Sequence, residues 1–530
     1  MSITKIGKSA TTGAINIFTG KMISKIIGVI GGIITVRILG PENYGLLVIA
    51  ATAPNILFLI SDFGMNTAVT RFMSEAHTKN KTEQLRYIFY SGFIFKALLC
   101  GCLSVICFVG AEFFASAFAK ASVTPLIQIA SLLILAWPLS DFADSVLLAL
   151  DLTKYNAIFM ILSEILISVL PILLMIIFAS ETAFALMGMV AATLTTVFLQ
   201  LILCFCQVSK ISNNPNGTSI LAGIRNSLKQ SLIYGLPLQA IIFIDGGLGR
   251  FQKFMVARFG NPFEVGNYSV AQNSSNFVDY LAWPVSLVIF PMFSKVDPKK
   301  ENEGLKKLLH YSLKFSTLVI LPAALTIFLL GEPIITILFG QEYEFAWNYL
   351  ILLSISWLTY GLGGVHMRKL LLAQGDTKFL TLNDLITAIL NISLALVLVP
   401  SYGIFGLIIA NLLAVWPSYA LKYRRIRQQY KISFPKKDLL RVYISVALTT
   451  LITLPMIWLI QDQLLKLILG LMLILSAYLI LLILTRTITI DDIQILRGMI
   501  GDSYMYKFIK ILLDSMEKII QTFKLENIRN

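Results

Sequence analysis

Arg37-Ile-Leu-Gly-Pro-Glu-Asn-Tyr-Gly45 closes one long apolar run and opens the next, and Arg258-Phe-Gly-Asn-Pro-Phe-Glu-Val-Gly266 does the same about 221 residues later. In both copies an arginine sits at the end of a helix-length run, a proline stands in the turn, and a glycine begins the following run. The register holds beyond the motif. Ala50, Asn55, Phe72, Tyr90 and Ser91 fall on Ala271, Asn276, Phe293, Tyr311 and Ser312. An even number of apolar runs separates the equivalents, so the sequence predicts parallel repeats related by an axis along the membrane normal.

The apolar runs on either side of each motif extend roughly 18 to 25 residues, enough to cross about 30 Å of hydrocarbon at 1.5 Å per residue. They recur along nearly all 530 residues, of which 57% are apolar and 14% charged, so the bilayer is the solvent. Helices are required, because lipid offers no partner for open backbone groups and the alternation of barrel strands is missing. Spans are predicted at 12–39, 44–67, 85–110, 123–150, 156–179 and 183–207. After a polar stretch they continue at 231–257, 265–290, 309–330, 345–373, 379–399, 404–423, 442–459 and 465–484, about fourteen in all by the length rule. The expected fold class is an all-α polytopic membrane protein of two six-helix lobes plus two C-terminal helices. Its parts are an N-terminal lobe (1–210), a cytoplasmic linker (211–228), a C-terminal lobe (229–430), two additional transmembrane helices (431–485) and a cytoplasmic amphipathic tail (486–530).

Basic residues cluster in alternate loops, as at Arg71, Lys79, Lys81 and Arg86, and again from Lys422 to Lys437, while the intervening loops carry Glu42, Glu112, Glu181 and Glu332. The positive-inside rule then places both termini in the cytoplasm, in a cytoplasmic (plasma) membrane. The formal charge of +14 reads as a topology signal with some attraction to anionic membrane lipids, and no nucleic-acid partner is expected. All five cysteines fall within apolar runs without ligand-spaced neighbours, so no metal site is expected. There is no Walker sequence, and no catalytic constellation surrounds His77, His310 or His366, so no enzyme and no cofactor are expected. Gly28 and Gly32 form a small-xxx-small pair suited to close helix packing. Gly361, Gly363 and Gly364 would allow a bend in the tenth span. Beyond Thr485, residues 508–523 alternate apolar and polar at helical spacing, as expected of a helix lying on the cytoplasmic leaflet.

Several motifs together resemble the polysaccharide transporters of the multidrug/oligosaccharidyl-lipid/polysaccharide superfamily, which includes Wzx-type lipid-linked oligosaccharide flippases. They are the Arg37 to Gly45 motif, Ser61-Asp-Phe-Gly-Met-Asn66, Glu264-Val-Gly-Asn-Tyr-Ser-Val-Ala271, Phe290-Pro-Met-Phe-Ser294, Leu370-Leu-Leu-Ala-Gln-Gly-Asp-Thr-Lys378 and the stretch from Asn391 to Gly403. The resemblance implies a V-shaped pair of bundles that opens alternately to each leaflet and moves a polyprenyl-pyrophosphate-linked glycan, with other polysaccharide-assembly proteins as further partners. A headgroup of charges and hydroxyls cannot enter hydrocarbon without losing its water, so such a protein needs a wet, cation-lined cleft. Lys21 and Lys25 on the first span, and Arg250 and Lys253 on the seventh, are the candidates for substrate binding. Each pair is one helical turn apart, on the corresponding first helix of its lobe. Lys21 is also placed to snorkel at the interface, and Asp245 is placed to neutralise Arg250 or Lys253. Asp62, Asp279 and Asp245 are the candidates for a coupling ion, sodium or proton left open. The alternatives are an ion-coupled drug or metabolite antiporter on the same fold, and a membrane glycosyltransferase, for which the loops lack acidic motifs.

Overall fold

The computed structural model describes residues 3–178, 180–211, 220–278, 292–296, 302–432, 434–490, 492–494, 514 and 517, and these are almost entirely helical. Among the described residues nine helices are long and apolar enough to cross a membrane, or ten when the bent pair Ala346–Leu362 and Gly364–Ala373 is taken as one span. Three of them are double, broken at Gly40, Leu330 and Gly403. Helix α1 (Ile3–Phe58) contains Gly40 at φ 70°, ψ 170°, so two helices meet there end to end, and Pro41 begins the second. A non-glycine residue is rarely held at positive φ, which explains why the turn in this motif carries glycine next to proline.

Two compact units make up the chain, Met1–Ser269 with Ala388–Asn411 and Val270–Thr387 with Leu412–Asn530. The first holds α1, α2 (Met65–Thr78), α3 (Thr82–Val109), α4 (Ala111–Ala117), α5 (Thr124–Ala130), α6 (Leu132–Ala149), α7 (Thr153–Ile177), α8 (Thr182–Ile211), α9 (Ile220–Phe259) and the start of α10 (Pro262–Ser275). Helix α1 runs along α7 with small residues in the contact: a β-carbon at Gly20 or Gly31 would fall on Ala157 or Ser168. Gly28 packs in the same way on Glu164, while Gly32 faces open space, so only half of the expected small-xxx-small pair serves packing. A core of Met65, Val69, Phe89, Phe142, Val146 and Cys204 joins α2, α3, α6 and α8. In it Phe89 meets Phe205 edge-on, with ring centroids 4.9 Å apart.

The predicted second span departs from expectation. Its helix stops at Phe58, the chain unwinds through Leu59–Phe63, and α2 restarts at Met65 after two left-handed residues, Phe63 (φ 48°) and Gly64 (φ 74°). The polar pair in this stretch draws hydrogen bonds away from the helix ladder. Ser61 Oγ donates to the Phe58 carbonyl at 2.8 Å, and Asp62 Oδ1 accepts from the Asn66 amide at 3.2 Å. An apolar run alone does not register such a break.

The second unit contains α11 (Asn302–Phe339), α12 (Ala346–Leu358), α13 (Gly364–Ala373), parts of α14 (Thr377–Tyr430), α15 (Lys436–Trp458) and α16 (Gln463–Leu484). Helix α14, like α1, is two helices, divided at Gly403 (φ 56°). The bend expected near Gly361 to Gly364 is present: the helix turns by 49° there, with Gly363 at φ 84°. Leu321, Leu325, Val446, Ile474 and Tyr478 form the packing centre. Beside it lies a buried ion pair, Lys314 Nζ to Asp492 Oδ2 at 2.6 Å, whose side chains are 5% and 4% exposed. The same carboxylate oxygen accepts from the Thr489 amide and hydroxyl, each at 2.8 Å, so the segment after α16 is tied to α11. The expected amphipathic helix at 508–523 lies outside the described residues, apart from Asp514 and Glu517.

Candidate functional site

Lys21 and Lys25 both lie exposed on α1, on the same stripe as Gly28 and Gly32. Lys25 is within electrostatic range of Glu164 on α7, and beyond Gly32 there is open space.

In the second pair Arg250 is half-buried and Lys253 exposed. Arg250, on α9, donates from Nη1 to the Gly246 carbonyl of its own helix at 3.2 Å, while its Nε is buried with no hydrogen-bond acceptor. Lys253, one turn on, reaches Asn55 Oδ1 of α1 at 3.2 Å. Between them in sequence, Gln252 donates from Nε2 to Asn411 Oδ1 at 2.7 Å and to Asn391 Oδ1 at 3.3 Å, and Asn391 Nδ2 donates to the same Asn411 oxygen at 2.6 Å. Gln252, Asn391 and Asn411 thus form a carboxamide cluster that the sequence reading did not single out. Amides recurring on three separate spans were its only signal. Asp245 lies on α9, but its side chain falls outside the described part, and Asp279 lies outside the described residues altogether.

Asp62, proposed from sequence as an ion-coupling group, occupies the unwound break before α2. Its partner is Lys96 of α3, with Nζ 2.6 Å from Oδ1. The Lys96 side chain is 0% exposed and that of Asp62 21%. Sequence reasoning missed Lys96, yet a lone lysine in the middle of a 28-residue apolar helix is a strong signal for an intramembrane partner. Gln239 of α9 clamps the break from the other side, donating to the Leu59 carbonyl at 3.0 Å and accepting from the Gly64 amide at 3.1 Å. Next to it Gly64 and Gly235 meet backbone to backbone. Removing both amide contacts in Gln239→Leu leaves two buried backbone groups unpaired, at about 1–3 kcal/mol each. The expected outcome is a clear fall in thermal midpoint, and hydrogen exchange measured by mass spectrometry locates the loosened peptide at residues 59–64.

At the other end of α9 the two repeat motifs meet. A β-carbon on Gly45 would fall on the Pro262 carbonyl, and one on Gly266 would fall on the Pro41 carbonyl. The contact is reciprocal between positions that the sequence offset made equivalent. Asn261 and Glu264 form a capping box at the start of α10, each accepting the other's amide at 2.9 and 2.8 Å, which holds Pro262 in the turn. Lys120, in the loop after α4, reaches into this seam and donates to the Ala257 carbonyl at 2.6 Å. Burial, with the nearby Arg258 charge, holds its ammonium below the usual lysine range.

With this geometry in view, comparison with known proteins is informative. The sequence model of the family described as "Polysaccharide biosynthesis protein" matches residues 34–348, more than half of the chain. The chain belongs to this family. The chain is similar to the succinoglycan biosynthesis transport protein ExoT of Rhizobium meliloti, 23% identical over 331 residues and covering 61% of each chain. A putative O-antigen transporter of Shigella dysenteriae is 24% identical over 205 residues, 38% of this chain and 50% of that protein. The match therefore spans about half to three-fifths of these relatives' length. Among solved structures, the lipid II flippase MurJ in an inward closed conformation superposes with a TM-score of 0.68 at 19% identity, covering 89% of this chain and 99% of that one. An inward-facing multidrug resistance MATE family transporter gives 0.60 at 17% identity, covering 79% and 99%. These likenesses show that the chain shares the fold of those two structures.

Proposed function

We propose that this protein flips a polyprenyl-linked oligosaccharide or polysaccharide repeat unit across the cytoplasmic membrane by alternating access, for cell-envelope glycan synthesis. The observation that carries the reading is Arg250 of α9, a guanidinium with a buried donor that no protein acceptor uses, one helical turn from Lys253. A pyrophosphate matches such unspent charged donors, and sugar hydroxyls match carboxamides. Family membership and relatives named for glycan transport support the same substrate class. Ion-coupled drug or metabolite antiport is the second reading, supported by the MATE-like fold alone.

The finer architecture belongs to the same proposal: fourteen spans in two parallel six-helix lobes plus two, the linker between the lobes and both termini in the cytoplasm. The divisions at Gly40 and Gly403 support the count, since each turns one long helix into two crossings. The reciprocal Pro41/Gly266 and Pro262/Gly45 contact supports the repeat. In this scheme membrane lipid holds the polyprenyl tail, and enzymes that build and polymerise the glycan are the partners.

Binding tests the substrate directly. Purified protein is expected to bind a radiolabelled polyprenyl-pyrophosphate oligosaccharide, and Arg250→Gln to lose about 1.5–3 kcal/mol, or roughly ten- to a hundredfold in affinity, as for a hydrogen bond to a charged group. Unchanged affinity in Arg250→Gln, or preferential binding of organic cations, counts against the assignment.

A further inference from the structure

We propose that a pocket between α2 and α9 holds the headgroup of one anionic glycerophospholipid, drawn from the leaflet at that end of the two helices. The pocket has a volume of about 460 Å³ and is lined by Phe72 of α2 and by Asn226, Lys229, Gln230, Ile233 and Tyr234 of α9. The α9 residues recur at helical spacing and form one stripe. Behind that stripe the helix is firmly seated. Ser227, Ser231 and Gly235 are buried, Leu228 and Leu232 pack on the core of α2, α3, α6 and α8, and a β-carbon at Gly223 would fall on the Tyr87 ring. The pocket is therefore a feature of well-packed helices.

The stripe changes character along its length. Asn226, Lys229 and Gln230 are polar and exposed, whereas Ile233, one turn on, is 63% exposed and Leu236, a further turn on, is exposed as well. A polar end followed by uncovered apolar side chains matches a phospholipid, with its phosphate at Lys229, its glycerol hydroxyls within reach of the carboxamides and its acyl chains towards Ile233 and Leu236. The aromatic wall carries a second cation. Phe72 and Tyr234 meet edge-on with centroids 5.4 Å apart, and the Arg71 guanidinium lies 4.4 Å from the Tyr234 centroid. Stacking of this kind holds the guanidinium plane while leaving its N–H donors for an oxyanion. Among the described residues neither Arg71 nor Lys229 has a hydrogen-bond or ion-pair partner, and Glu75, one turn after Arg71, is engaged by Lys79 at 2.6 Å. From Ile220 to Ile244 the chain contains Arg225 and Lys229 but no acid. Basic pockets between spanning helices suit anionic headgroups for this reason.

Naming the leaflet as cytoplasmic rests on the sidedness proposed above, whereas the site does not, and the test uses no glycan in its binding arm. Full-length protein in detergent is titrated with phosphatidylglycerol or phosphatidylcholine, and bound lipids are counted by native mass spectrometry. The wild type is expected to retain one phosphatidylglycerol in preference to phosphatidylcholine. Arg71→Gln/Lys229→Gln is expected to weaken that binding about fivefold for each cation, or about thirtyfold together. Lys81→Gln/Lys154→Gln removes the same charge from two exposed lysines outside the pocket and is expected to leave the affinity unchanged. Gln230→Trp, which fills the pocket without altering charge, is expected to reduce binding in a protein of unchanged thermal midpoint. Equal losses in the two charge variants would reduce the effect to general attraction and overturn the site. Equal retention of phosphatidylcholine, or full displacement by inorganic phosphate, would overturn the lipid assignment. Displacement by a polyprenyl-pyrophosphate oligosaccharide but not by excess phosphatidylglycerol would give the pocket to the transported substrate and equally overturn it.

Discussion

Replacing Asp492 by alanine is expected to destabilise the protein by about 3–5 kcal/mol, the cost of leaving a buried charge without its partner. Lys314 lies in α11 with its ammonium 2.6 Å from that carboxylate, and both side chains are nearly inaccessible to water. Removing the carboxylate also frees the Thr489 amide and hydroxyl that it accepts. The charge-free pair Lys314→Met/Asp492→Leu is expected to recover much of the loss, since apolar replacement of a whole buried pair is often neutral or stabilising. Thermal unfolding in detergent, followed by intrinsic fluorescence, reads both. Equal midpoints for wild type and Asp492→Ala would show that Lys314 reaches water by another route.

Gly45→Leu places a side chain where the Pro262 carbonyl now sits, so the seam between the two repeat motifs cannot close as it does here. Overpacking of this kind costs about 1–3 kcal/mol. In an alternating-access protein the cost falls on the state in which the seam is shut, and the population moves towards the state in which it is open. Val265, beside Gly266, is 0% exposed and reports on the seam. In a cysteine-free background, Val265→Cys is expected to react slowly with a membrane-impermeant maleimide, and rapidly once Gly45→Leu is added. The reciprocal variant, Gly266→Leu against Pro41, is expected to act in the same direction. Slow labelling in both backgrounds would mean that the seam does not move.

The all-helical, membrane-spanning character and the turns at Gly40 and Gly363 were legible in the sequence because hydrophobic length and proline–glycine punctuation are local signals. The repeat of the Arg37 to Gly45 motif was legible, but that its two copies meet, Gly45 on Pro262 and Gly266 on Pro41, was not read from the sequence. Asp62 was named from sequence as a coupling-ion candidate, but its context was not read: the break at 59–64 involves Ser61, Asp62 and the distant Gln239 together. Lys96 was overlooked because pairs at helical spacing drew attention to Lys21 and Lys25, whereas the partner of Lys96 lies on another helix. The same limit applies to Gln252, Asn391 and Asn411, which only tertiary packing brings together. Single polar residues in apolar spans carry the information, but one-dimensional spacing does not pair them.

The most direct test of the central claim is translocation of a fluorescent polyprenyl-pyrophosphate oligosaccharide in proteoliposomes, comparing wild type with Lys25→Ala/Arg250→Ala at matched protein content. The account predicts that wild-type vesicles move the glycan headgroup between leaflets and that the double variant, still folded, does not. Wild-type vesicles that leave the glycan in place while exchanging organic cations for protons or sodium would contradict it.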